Sequence, residues 1–114
     1  MKGLPVIKVK MAYLSEEETG RGITPCIGQM PHLVVQDPAI RKPVLKNRTI
    51  LDEYLGVYIK SVPPDLRPDT EGEYELALFY YPNVNYDKLK PGATFTVRDG
   101  GAVIGYGEVI EKKD

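Results

Sequence analysis

A chain of 114 residues has room for one domain around a single core, which excludes a self-contained multidomain machine. Its 15 Lys and Arg against 16 Asp and Glu leave a formal net charge of −1, so attraction to nucleic acid or anionic lipid must come from a local patch. Hydrophobic residues at 42% and charged residues at 27% suit a soluble folded domain, while 11 Gly and 10 Pro make turns frequent and long helices unfavourable.

One cysteine, Cys26, cannot close an internal disulfide, and one histidine, His32, cannot build a multi-histidine metal cluster. No metal or cofactor is expected. The segment Met1-Lys2-Gly3-Leu4-Pro5 lacks the apolar stretch of a secretory signal, and no window reaches the roughly 18 apolar residues of a membrane span. The expectation is a cytoplasmic protein with no membrane partner.

In chain order, Ile7, Val9, Met11 and Tyr13 alternate with Lys8, Lys10 and Ala12, the period of a strand with one wet face. Ser15 to Gly22 reads as a charged loop. Pro25 and Pro31 keep helix out of the next stretch, and Leu33-Val34-Val35 predicts a second strand. Residues 36–54 carry Pro38 and Pro43 beside the basic residues Arg41, Lys42, Lys46 and Arg48. After the basic residues, Ile50 to Leu55 fits a helical turn or a short strand.

Leu55, Val57 and Ile59 predict a third strand that stops before Pro63-Pro64. Glu73 to Tyr81 predicts a strand that is apolar on both faces from Leu76 onward, hence covered on both sides or lying at a partner interface. Ala93 to Arg98 and Ala102 to Glu111 flank Asp99-Gly100-Gly101, a hairpin signal for a type I′ turn. Gly105 and Gly107 share one face of the last strand, where a neighbouring backbone or a large aromatic can approach. About six short strands at this spacing predict an all-β fold, a barrel or a sandwich, across 1–114.

Few residues carry the pattern of an active site. Gly100 to Gly105 supplies glycines, but Tyr106 stands where a phosphate-binding loop needs lysine, so no nucleotide is expected. Cys26 and His32 are the one nucleophile and base pair to weigh, with a buried thiol and a surface histidine as the plainer reading. Glu16-Glu17-Glu18 reads as a solvated charge run. The basic residues at 41–48 offer phosphate contacts, against the plainer reading of a basic loop. The eight tyrosines offer surfaces for stacking on bases or for an interface, against the plainer reading of core and cross-strand packing.

The stretch Pro91 to Ile110, with Phe95-Thr96-Val97-Arg98-Asp99-Gly100-Gly101 and then Gly105-Tyr106-Gly107-Glu108-Val109, resembles the close of the third domain of translation elongation factor Tu. Lys8 to Leu14, Gly20-Arg21, Thr24-Pro25 and Gly28-Gln29-Met30-Pro31-His32-Leu33 look like the first strand of that domain and the loops after it. The resemblance runs in order along the chain except at 36–54, which looks like an insertion.

That resemblance implies a six-stranded antiparallel closed β-barrel without a catalytic centre, in a domain that packs on protein partners and helps hold tRNA. Its tRNA-facing positions match here at Arg21, Arg98, Asp99 and Gly100. The family's loop histidine is replaced within Gly22-Ile23, its arginine before proline is Met30, its glutamine after that proline is His32, and a later basic position is Tyr81. With the apolar framework retained and these polar positions lost, the expected function is a non-enzymatic module that binds a protein. The alternative is a translation-linked accessory domain that binds tRNA or other RNA through Arg21, Arg98, Asp99, Gly100 and the basic residues Arg41, Lys42, Lys46 and Arg48.

Overall fold

A computed structural model of the chain describes residues 3–20, 22–41, 45–46, 49–50 and 53–113. Its period-two segments become strands β1 (Val6–Tyr13), β2 (His32–Val35), β5 (Leu55–Ser61), β6 (Gly72–Leu78), β7 (Thr94–Asp99) and β8 (Ala102–Lys113). They close into an antiparallel barrel in the order β1-β6-β5-β2-β7-β8, with β8 returning to β1. The architecture is the six-stranded closed barrel expected above. Closure gives every barrel strand two neighbours and leaves no long unpaired edge.

The alternation in β1 sends Ile7, Val9, Met11 and Tyr13 inward, where they meet Leu33, Leu55, Val57, Ile59, Leu76, Phe95 and Val97. Lys8 instead points outward and pairs with Glu73 at 3.7 Å, while Lys113 reaches Glu75 at 2.7 Å. Three expectations shift in detail. Within 15–22, residues Glu16–Thr19 form one helical turn, α1, closed by the Gly20 N–H donating to the Glu16 carbonyl at 2.7 Å. Ile50 belongs to a strand: β3 (Leu45–Lys46) pairs with β4 (Thr49–Ile50) in a two-stranded ladder. Strand β6 ends at Leu78, and Phe79 to Tyr81 turn away from it.

At the β7–β8 hairpin the two loop residues are Gly100 and Gly101, and of these Gly100 alone has positive φ, at 60°. That is the pattern of a type II′ turn, which needs left-handed backbone at its first position, and it replaces the expected type I′. Gly105 and Gly107 fulfil the close approach read from their spacing. A Cβ at Gly107 would stand 2.5 Å from the Lys10 carbonyl oxygen and 2.8 Å from Cζ of Phe95, and one at Gly105 would stand 2.6 Å from the Ala12 oxygen. At Gly105 and Gly107, β8 thus lies close against the backbone of β1, with the Phe95 ring beside Gly107.

The loop after β6 is fastened by Tyr86, whose buried hydroxyl donates to the Gly56 carbonyl at 2.6 Å and accepts from the Tyr80 N–H at 3.0 Å. This lays the Tyr80 ring across Gly56, where a Cβ would collide with it. Tyr81-Pro82 is a cis peptide.

Gly107→Ala should lower stability by about 1–3 kcal/mol, because backbone and core atoms both occupy the space that the methyl needs. Gly101→Ala, which has nothing within 4 Å of its Cβ, is the matched control. Thermal denaturation of the two variants measures the contrast.

Candidate functional site

The resemblance places Arg98 among RNA-facing positions, but the structure turns its side chain into a covered layer outside the barrel. Thr94, Thr96 and Arg98 alternate with the core residues Phe95 and Val97, so their side chains leave β7 on the outer face. Arg98 is nonetheless 0% exposed. Its Nε donates to the Thr96 hydroxyl at 3.2 Å, Nη2 to the Gln36 side-chain oxygen at 2.7 Å and Nη1 to the Tyr54 hydroxyl at 3.0 Å. The Tyr54 ring lies 5.4 Å from the guanidinium carbon, and the His32 ring lies 5.7 Å from that of Tyr54.

Gln36 and Tyr54 are the first and last residues of the stretch that the sequence marks as an insertion. One planar guanidinium therefore clasps both of its ends, a geometry for which the arginine fork is suited and a lysine ammonium is not. Gln36 is held further by its N–H donating to the Thr94 carbonyl at 3.1 Å and its carbonyl accepting from the Thr94 hydroxyl at 3.0 Å. Val34 and Val103, in register with Thr96 and Arg98, are also buried on this outer face.

Among the described residues, the other site candidates lie at the hairpin tip or on other parts of the surface. Asp99 and Gly100 are exposed at the hairpin. Arg41 lies over the Tyr106 ring at 5.2 Å, with Nε 3.9 Å from a Glu18 carboxylate oxygen, and its Nη1 donates to the carbonyls of Pro38 and Ile40. Lys46 pairs with Thr49 in the short ladder. Arg21, Lys42 and Arg48 lie outside the described residues. Cys26 is exposed in the loop before β2, whereas His32 packs on Tyr54. Among the described residues no group of three or more His, Cys, Asp or Glu is placed to hold a metal ion, and no helix is long and apolar enough to cross a membrane.

The tyrosines divide into three sets. Tyr13 and Tyr74 are core, as their alternation suggests, Tyr86 is buried from its loop, and Tyr54, Tyr58 and Tyr106 are half-buried. Tyr80 and Tyr81 stand 45% and 48% exposed. Hydrogen bonds from Val57 N–H to the Pro31 carbonyl and from Ile59 N–H to the Gln29 carbonyl bracket Tyr58 and Met30, setting them opposite each other. Tyr58 stacks on Phe79 at 6.2 Å, and Phe79 meets Tyr80 edge-on at 5.1 Å. With Met30 at 44% exposed opposite Tyr58, an aromatic and apolar surface lies on β5 and the segments beside it, and Ile27, 62% exposed, precedes it in the loop before β2. Sequence reasoning leaves Phe79 to Tyr81 either covered by packing or lying at a partner interface. The signal for exposure is Tyr80-Tyr81-Pro82, an aromatic pair followed by a strand breaker.

Arg98 and Asp99 also border a cleft of about 220 Å³ at the end of the barrel, which Tyr13 helps to line. The Tyr13 hydroxyl donates to the Gln29 side-chain oxygen at 3.2 Å, and burial pushes its pKa well above the ordinary tyrosine value. Burial likewise raises Tyr74, Tyr86 and Tyr106. On the exposed surface, a hydrogen bond from Lys113 lowers Glu75 and one from Arg67 lowers Asp65.

No family model matches the chain, and no curated protein matches its sequence.

Arg98→Ala should cost about 1.5–3 kcal/mol, the range for hydrogen bonds to a charged group, and Arg98→Lys should recover only part of it. Tyr54→Phe takes one acceptor from the buried guanidinium and should cost about 1.5–3 kcal/mol; chemical denaturation measures all three. A second expectation concerns alkali. Because the buried phenols titrate above the unfolded value of 10.0, their stabilisation is fully present below that pH and is lost as pH rises through the raised folded values. The denaturation midpoint should fall above about pH 10, and less steeply in Tyr13→Phe.

Proposed function

We propose that this chain is a non-enzymatic binding module, related to the third barrel of elongation factor Tu, whose ligand is another protein. The observation that carries the reading is the exposed surface of Tyr80, Tyr81 and Met30, backed by Tyr58 and Phe79. Aromatic residues and methionine are the types enriched at protein interfaces, where large rings bury area at low entropic cost. Tyr86 and Gly56 fasten the Tyr80 ring in place, so little ordering is required on association. The six-stranded barrel is compatible with the resemblance, and the burial of the Arg98 guanidinium beneath Gln36 and Tyr54 supports a protein over RNA as the ligand.

The test uses the whole chain as bait in a nuclease-treated extract, beside a Tyr80→Ser/Tyr81→Ser double variant. A protein captured by the wild type, retained as salt is raised and weakened at least roughly tenfold by the double substitution supports the proposal. Capture unaffected by the substitution, or recovery of RNA alone from an untreated extract with the steep salt dependence of phosphate contacts, overturns it.

A further inference from the structure

We propose that the cleft at the end of the barrel is an anchor pocket for one tryptophan side chain presented by a protein partner. This rests on the protein-binding reading above and adds the chemistry of the residue that enters. At about 220 Å³ the cleft falls below the roughly 300–1,000 Å³ of small-molecule and cofactor sites, and is of a size to take a single large side chain. Interfaces concentrate their binding energy on such anchors, among which tryptophan is enriched.

The lining residues specify what the anchor must be. Ile23, Met30, Pro31 and Ile104 make the sides apolar, and Met30 offers a polarisable thioether of the kind that packs on an aromatic ring. The polar lining residues Tyr13 and Gln29 are bonded to one another. Tyr13 donates to the side-chain oxygen of Gln29, whose amide donates to the Thr24 carbonyl at 2.8 Å. Arg98 and Asp99, at the border, are engaged in interactions of their own. Hydroxyl donation leaves the Tyr13 oxygen with acceptor capacity, and an entering group that carries one donor on an otherwise apolar body complements it. Indole is that group, because its ring N–H donates and accepts nothing.

Position links the cleft to the exposed surface. Met30 borders the cleft and, through the bonds on either side of it, faces Tyr58 on β5. A partner segment lying on Tyr58, Phe79 and Tyr80 can therefore reach the cleft across one side chain.

The chain contains no tryptophan, so indole fluorescence in a mixture belongs entirely to an added probe. N-acetyltryptophanamide titrated with the intact protein should show a saturable blue shift and a rise in anisotropy, with a dissociation constant of about 1–10 mM. Met30→Asp, a change at an exposed position, should weaken binding at least roughly fivefold, while Ile110→Asp, at an exposed position on β8, should leave it unchanged. N-acetylphenylalaninamide, which lacks the side-chain donor, should displace the probe only at several-fold higher concentration. No saturable change, equal competition by the phenylalanine derivative, or equal loss in the two variants overturns the proposal. Failure of the probe with partner capture still dependent on Tyr80 and Tyr81 removes the pocket alone. Probe binding without such capture removes the reading of the aromatic surface and leaves the pocket standing.

Discussion

A guanidinium withdrawn from water is costly unless its donors are met, and the fate of Arg98 organises the outer layer of this protein. Its donors are taken by Thr96 beside it on β7 and by Gln36 and Tyr54 at the two ends of the intervening stretch. The three described acceptors come from places far apart in the chain, so meeting them requires β7, the exit from β2 and the entry to β5 to be in place together. The benefit is geometric: two ends of a long excursion return to one point, and Val34 and Val103 are covered beside it. A cation that sequence places in a hairpin for contact with phosphate is instead a fastening within the fold.

The barrel beneath depends on a second constraint, the close passage of β8 over β1. Two glycines make it possible, since Gly105 and Gly107 leave no side chain between β8 and the carbonyls of Ala12 and Lys10. With that side drawn tight, Phe95 fills the centre and all six strands keep their hydrogen-bonding neighbours. The opposite side is looser in its pairing. Strand β2 meets β5 over two registered positions, and the run from Gly28 to Pro31 continues the contact through scattered backbone bonds. It is there that Met30, Tyr58, Phe79 and Tyr80 emerge.

The exposed surface and the fastened layer divide the work of the molecule. Charges on the outside of β1, β6 and β8 are neutralised locally by pairs such as Lys8 with Glu73 and Lys113 with Glu75, which accords with a net charge of −1. Such exposed pairs contribute little to stability and are screened by salt. The aromatic surface carries no formal charge. Its affinity for a partner would come from area and shape, which makes it the natural counterpart of an apolar anchor seated in the adjoining cleft.

Much of this was legible in the residues. Alternation in Val6–Tyr13 determined which side chains enter the core, the Asp-Gly-Gly sequence determined a tight hairpin, and the spacing of Gly105 and Gly107 determined where a neighbour approaches, because each depends on local period or on one residue's allowed backbone. The turn type escaped, since register decided which residues form the loop. So did the short helix at Glu16–Thr19, whose closure depends on the conformation of Gly20. What the tertiary structure alone decided was direction: that Arg98 faces Gln36 and Tyr54 rather than solvent, that Tyr80 and Tyr81 face out while Tyr13, Tyr74 and Tyr86 face in, and that Met30 joins a cleft to an aromatic surface. These are facts of closure, because a side chain's neighbours in a barrel are set by which strands pair across it, and pairing between distant strands leaves no periodic trace in either one.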